Sequence, residues 1–179
     1  MVGQAITIRR AGSEDFEIVS RLSKITFYQT FKDTCTDDDM KYFLENIFSD
    51  SNTLQDLKDD DDLYFIAFVN DVAAGYMRLK EDYTDYPPIP KYKAIELKRI
   101  YVLKKYHSKK VGAALMEFAI KFAKEKNYEA LWLGVWEHNE KAKIFYGKWG
   151  FTDTGHSHPF PIGNTPQTDN WLIKFIEKN

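Results

Sequence analysis

Two runs rich in β-branched and aromatic residues, LYFIAFV (63–69) and VAAGYMRLK (72–80), stand on either side of Asn70-Asp71. A two-residue connection between such runs predicts a β-hairpin. A hairpin alone is marginal in water, so it needs further strands or a helix against it. The chain supplies both. AIELKRIYVL (94–103) predicts a third central strand, residues 109–126 a helix, and EALWLGVW (129–136) another strand. NEKAKIFYGKWG (139–150) reads as a short helix ended by Gly150. GFTDTG and TDNWLIKFI (168–176) read as two last strands joined by the irregular loop HSHPFPIGNTPQ.

Upstream, AITIRRA (5–11) predicts a strand, and Ser13 a cap for a helix with Phe16, Val19, Leu22 and Thr26 inward. Thr36 caps a second helix, with Met40, Phe43, Leu44, Ile47 and Phe48 at helical spacing. DLKDDDD (56–62) predicts a solvated acidic turn, and the proline-rich EDYTDYPPIP (81–90) a loop. The expectation is one α/β (α+β mixed) domain over 1–179, with a central mixed sheet and helices on both faces.

A net charge of −2 gives no general attraction to nucleic acid or anionic membranes. No run approaches the ~20 apolar residues of a membrane span, and MVGQAITIRR lacks a signal-length apolar stretch. The expected location is the cytoplasm, and a homodimer stays open. The lone Cys35 excludes an intrachain disulfide and a cysteine-rich zinc site. His156 and His158 form a His-x-His pair with no obvious local third ligand, so no metal is expected.

The predicted helix at 109–126 begins unusually. Lys109 and Lys110 precede it and Gly112 lies in its first turn. Both choices oppose helix stability, through the macrodipole and through backbone entropy. The first N–H groups of a helix lack internal partners and form an anion site, which glycine opens to close approach. Ser108 to Ala113, with Val111 at the centre, could hold a pyrophosphate. Alternatively, the lysines are solvated and the glycine fits against the sheet.

The stretch resembles the pyrophosphate loop of the GNAT superfamily, the acetyl-CoA-dependent N-acetyltransferases. His107 takes the Gln/Arg place of that motif, Lys110 the first glycine place and Gly112 the second. Asn139, Ala142, Phe145, Tyr146, Gly150 and Phe151 match the pattern N-x-x-A-x-x-F-Y-x-x-x-G-F. TFYQTF, TDDDMKYFLENIF, ELKRIYVL and the tail HPFPIGNTPQTDNWLIKFI resemble the PaiA-type branch, which acts on polyamines such as spermidine. The resemblance implies acetyl-CoA as cosubstrate and a sheet splayed at the cofactor strand, where the backbone of Ile100, Tyr101 and Val102 pairs with pantetheine. It implies further cofactor contacts from Asn139 and Lys148, and places Tyr146 near the thioester sulfur.

Acetyl transfer to an amine needs a proton acceptor at the nitrogen and a proton donor for the departing thiolate. Glu96 falls where histone-acetylating relatives place their catalytic glutamate; alternatively, it pairs with Lys98 or Arg99. Simple alternation puts Glu96, Lys98 and Ile100 on one strand face and Ile95, Leu97, Arg99 and Tyr101 on the other. Tyr146 suits the proton donor. Tyr28, Phe31 and Tyr83 are candidates to line a channel for methylenes. Asp37, with Asp38 and Asp39, follows the loop that in relatives borders the acceptor site, and is a candidate for a polycation, or only compensates the helix dipole. The expected function is direct acetylation of a primary amine, preferably spermidine or spermine. Alternatives are acetylation of a protein amino terminus or lysine, a non-catalytic CoA sensor, or another phosphate compound in the loop.

Overall fold

The computed structural model describes residues 5–81 and 92–177. One seven-stranded sheet has the order β1-β2-β3-β4-β5-β7-β6. The elements are β1 (Ile6–Arg10), α1 (Phe16–Phe31), α2 (Asp37–Asn46), α3 (Asp50–Asp56), β2 (Asp62–Val69) and β3 (Val72–Lys80). Then come β4 (Ala94–Val102), α4 (Val111–Glu125), β5 (Ala130–Trp136), α5 (Glu140–Lys148), β6 (Thr152–Pro159) and β7 (Thr168–Phe175). Every neighbouring pair is antiparallel except β4–β5. Among the described residues, no helix is long and apolar enough to cross a membrane.

The hairpin is as expected. Asn70 and Asp71 both take positive φ, 47° and 64°, the geometry whose twist matches right-twisted strands. On one face α4 and α5 pack over Phe65, Met77, Ile95, Leu97, Leu131 and Leu133. On the other, α1 lies over Tyr64, Ile66 and Tyr76, and Phe27, Phe31, Met40, Phe43 and Phe48 form an aromatic-rich cluster.

Several local expectations are corrected. Ser13 is exposed and caps nothing; instead the Asp15 carboxylate accepts the Gly12 N–H and pairs with Arg9. Thr36 does cap α2, its hydroxyl accepting from Asp39 N, but that helix ends at Asn46. Ser49 then caps α3, a helix not expected from the sequence, which ends at Asp56 where the acidic turn begins. Asp62 is not solvated. It is buried in an ion pair with Arg78, Nη2 to Oδ2 2.6 Å, with Lys80 Nζ at 3.1 Å. His156 and His158 lie on β6 rather than in a loop, because β7 continues to pair with that strand as far as Pro159. His158 packs on Trp171 at 4.9 Å. Among the described residues, no group of three or more His, Cys, Asp or Glu could hold a metal ion.

Candidate active site

The parallel pairing of β4 with β5 is short. It runs from Ala94↔Ala130 to Glu96↔Trp132 and stops. Beyond Glu96 the two strands diverge, as expected of a splayed sheet. A bulge accompanies the divergence. Arg78 pairs with Arg99 and Leu79 with Leu97, so Lys98 is the extra residue. The bulge overturns simple alternation along β4. Ile100 and Val102 join Leu97 on the α4 face, while Tyr101 faces α1. Glu96 sits at the vertex of the splay with Lys98 Nζ at 3.6 Å.

At the far end of β4 the chain makes a short 3₁₀ turn and enters α4. Ser108 and Lys110 both have φ of 63°. The left-handed region disfavours residues with a Cβ by roughly 1–2 kcal/mol, so the loop holds an unusual shape without glycine at either place. Lys110, in the first glycine place of the motif, is the N-cap and makes no side-chain capping bond. The first-turn amides of Val111, Gly112 and Ala113 therefore have no acceptor within the helix. Gly112 does not need to be glycine for packing. A Cβ there would meet Phe145 Cζ and Val102 Cγ2 at 3.8 Å, ordinary contact. Neither a positive φ nor a tight contact explains the missing side chain, which fits a ligand that approaches the backbone.

His107 stays exposed, with Nε2–H donating to the Val102 carbonyl at 2.9 Å, and ties the loop to the end of β4. The Lys109 ammonium stacks over Tyr106 at 5.3 Å. Asn139 caps α5, Oδ1 accepting from Ala142 N. Lys148 is exposed in the last turn of the same helix.

Tyr146 projects from α5 among Phe145 and Phe151, ring centroids 5.6 and 5.8 Å away. Burial, and then the charge of Asp169, push its phenol well above the usual range. It therefore holds its proton until a strong base appears beside it.

The acceptor-side candidates divide. Phe31 is buried and stacks edge-on against Trp136 at 5.8 Å, below the open end of the splay. Tyr28 and Asp37 are exposed. Tyr83 lies outside the described residues. Asp39 serves the structure: its carboxylate accepts from Asn164 N at 2.8 Å and Thr165 Oγ1 at 2.7 Å, clamping the β6–β7 connection to α2. Burial and then the charges of Asp39 and Asp37 push the Cys35 thiol up, away from the thiolate form a nucleophile needs.

A family model described as the acetyltransferase (GNAT) family matches residues 24–151. The chain belongs to the GNAT family. It is an acetyl-CoA-dependent N-acetyltransferase. This acetyltransferase is 31% identical over 171 residues to an uncharacterised N-acetyltransferase of Lactobacillus delbrueckii subsp. lactis, a match covering 96% of this chain and 98% of that one. Among solved structures it resembles the PaiA N-acetyltransferase of Thermoplasma acidophilum, solved in complex with coenzyme A. There the TM-score is 0.78 with 22% identity over 96% of this chain and 99% of that one. It also resembles the ribosomal-protein-S18-alanine N-acetyltransferase of Escherichia coli, TM-score 0.72, 16% identity, over 98% and 96%.

Sequence reasoning did not single out Asp169, which the structure brings close to this region. Asp169, on β7, opposes Trp136 of β5, and its Oδ2 lies 3.1 Å from where a Gly134 Cβ would be. The glycine lets the carboxylate lean across β5 toward the splay. Burial first, and then the charge of Glu96, raise its pKa to about 7. The available signal was a lone acid near the start of a strand otherwise rich in apolar residues, TDNWLIKFI.

Proposed function

We propose that the chain acetylates a primary amine of a polyamine, such as spermidine or spermine, directly from acetyl-CoA without an acyl-enzyme. The diphosphate would rest on the amides of Ser108 to Ala113, with Lys109 and Lys110 adding charge, and pantetheine would lie along Ile100 to Val102. Asn139 and Lys148 would contact the cofactor from α5. The thioester carbon would then sit in the splay beside Tyr146. As the carbon–nitrogen bond forms and the carbon–sulfur bond breaks, the phenol gives its proton to the departing sulfur.

The observation that carries the choice of acceptor is the juxtaposition at the splay. Glu96 stands at its vertex, and Tyr101, Phe31 and Trp136 supply aromatic surface below its open end. An aliphatic chain ending in an ammonium suits apolar walls that lead to a carboxylate. Tyr28 and Asp37 would meet the acceptor nearer solvent. The likeness of the tail HPFPIGNTPQTDNWLIKFI to the PaiA-type branch supports the same acceptor. Shared fold does not separate this acceptor from a protein amino terminus, because a ribosomal-protein acetyltransferase has the same architecture.

The test is thiol release from acetyl-CoA across a panel of spermidine, spermine, monoamines and peptides. The expected result is kcat/KM for spermidine at least tenfold above that for any peptide. A peptide preference would replace the polyamine reading, and CoA binding without thiol release on any amine would favour a sensor.

A further inference from the structure

We propose that Asp169 is the catalytic base of the acetyl transfer, and that Glu96 is a positioning residue which acts on Asp169 through its charge. The inference rests on the amine-acetylation reading but not on the amine being a polyamine.

Geometry distinguishes the two carboxylates. Glu96 has the Lys98 ammonium at 3.6 Å. Asp169 Oδ1 is buried and accepts no hydrogen bond, which is rare for a buried carboxylate oxygen. An oxygen held dry and unpaired has a vacancy for a donor, and the ammonium or amine of an acceptor is one. The position also fits. Gly134 clears the path over β5, and a Cβ there would press on both Asp169 Oδ2 and His158 Cε1 at 3.1 Å. The titratable groups that face Asp169 come from three elements. They are Glu96 and Tyr101 on β4, Tyr146 on α5 and His158 on β6. Asp169 is thus in electrostatic reach of both the vertex carboxylate and the proposed proton donor.

The proton ledger closes. An ammonium carries three protons. One passes to the Asp169 carboxylate, freeing the nitrogen lone pair, and leaves to solvent after turnover. The nitrogen then attacks the thioester carbon, the carbon–nitrogen bond forms and the carbon–sulfur bond breaks. The second proton is lost from nitrogen as the amide forms, and replaces the one Tyr146 gave to sulfur. The third stays on the amide. The base must be ionised to act, so kcat/KM rises as pH passes through its pKa. Burial and the negative charge of Glu96 bring that ionisation to about 7, where it serves a reaction at neutral pH.

The experiment measures kcat/KM against pH for the parent enzyme and for Asp169→Asn, Glu96→Gln and His158→Gln, with spermidine and a peptide as acceptors. Acetyl-CoA affinity and thermal melting verify that each variant folds. Asp169→Asn is expected to lose at least 100-fold in kcat/KM and the ionisation near neutrality, with acetyl-CoA affinity unchanged. Glu96→Gln is expected to keep the ionisation but move it to lower pH, with less than a tenfold loss. Asp169→Glu restores part of the rate. The inference is overturned if Asp169→Asn keeps the neutral ionisation, or if Glu96→Gln or His158→Gln abolishes it. Those outcomes leave acetyl transfer standing. A folded parent that releases no thiol with any amine would overturn the transfer reading and the base together.

Discussion

Tyr146 and Asp169 both titrate away from their ordinary values because of where water is excluded. Tyr146 is a phenol held protonated by burial and then by the charge of Asp169, the protonation state that the proposed donor role requires. Tyr146→Phe is expected to lower kcat at least tenfold with little change in acetyl-CoA affinity, measured by steady-state kinetics and equilibrium binding. Unchanged turnover would discard the acid role. Asp169 has a consequence for stability as well. Its folded pKa, about 7, lies above the ordinary carboxylate value, so the folded state binds the proton more tightly than the unfolded chain. That contribution is fully present below about pH 4 and is lost as pH rises through about 7. Asp169→Asn removes the buried charge, so its melting temperature should exceed that of the parent by more at pH 8 than at pH 5. An equal difference at both pH values would mean Asp169 titrates normally. Neither property is readable from TDNW alone. A lone acid on a strand looks the same whether it faces solvent or the splay.

At the scale of elements, the entry to α4 combines features that oppose helix stability: lysines at its start, left-handed φ at Ser108 and Lys110, and Gly112 in its first turn. The lysines and the glycine were visible as oddities in YHSKKVGAALMEF; the structure adds the left-handed backbone and shows that packing does not demand the glycine. Gly112→Ala should therefore leave the melting temperature unchanged or raise stability by up to ~1 kcal/mol, while weakening acetyl-CoA binding at least tenfold. Loss of stability with intact binding would return the glycine to a packing role. The β4 bulge was not visible. ELKRIYVL offers a plain alternation, and only pairing with β3 displaces Lys98 and turns Tyr101 toward α1. α3 was missed because DSNTLQD is short and polar, without the apolar spacing that marks a helix, and Ser49 caps it only once the chain has turned after α2.

Across the molecule, the open end of the β2–β3 hairpin, away from its turn, is held by charge as well as apolar burial. Arg78 is buried between Asp62, at 2.6 Å, and Asp56, at 3.0 Å, and lies over the Tyr64 ring. Burial pushes the Asp62 carboxyl up, but Arg78 and Lys80 outweigh it and hold it below the ordinary value. Its stabilisation is present above about pH 4 and lost as pH falls through the depressed pKa. Asp62→Asn leaves a buried guanidinium short of a partner and should destabilise by about 3–5 kcal/mol in chemical denaturation. A loss below ~1 kcal/mol would mean Asp56 compensates fully.

The hairpin, the helical spacing and the order of the strands were settled by the sequence, because turn chemistry and hydrophobic period act over a few neighbouring residues. The glycine-bearing entry to α4 and the helix that carries Tyr146 were legible there too, because local motifs mark them. The splay, the bulge that re-aims β4, the burial of Asp62 and the meeting of Glu96, Asp169 and Tyr146 were decided only in three dimensions. Each depends on which strand lies beside which, and on how much water remains between groups that stand far apart in the chain.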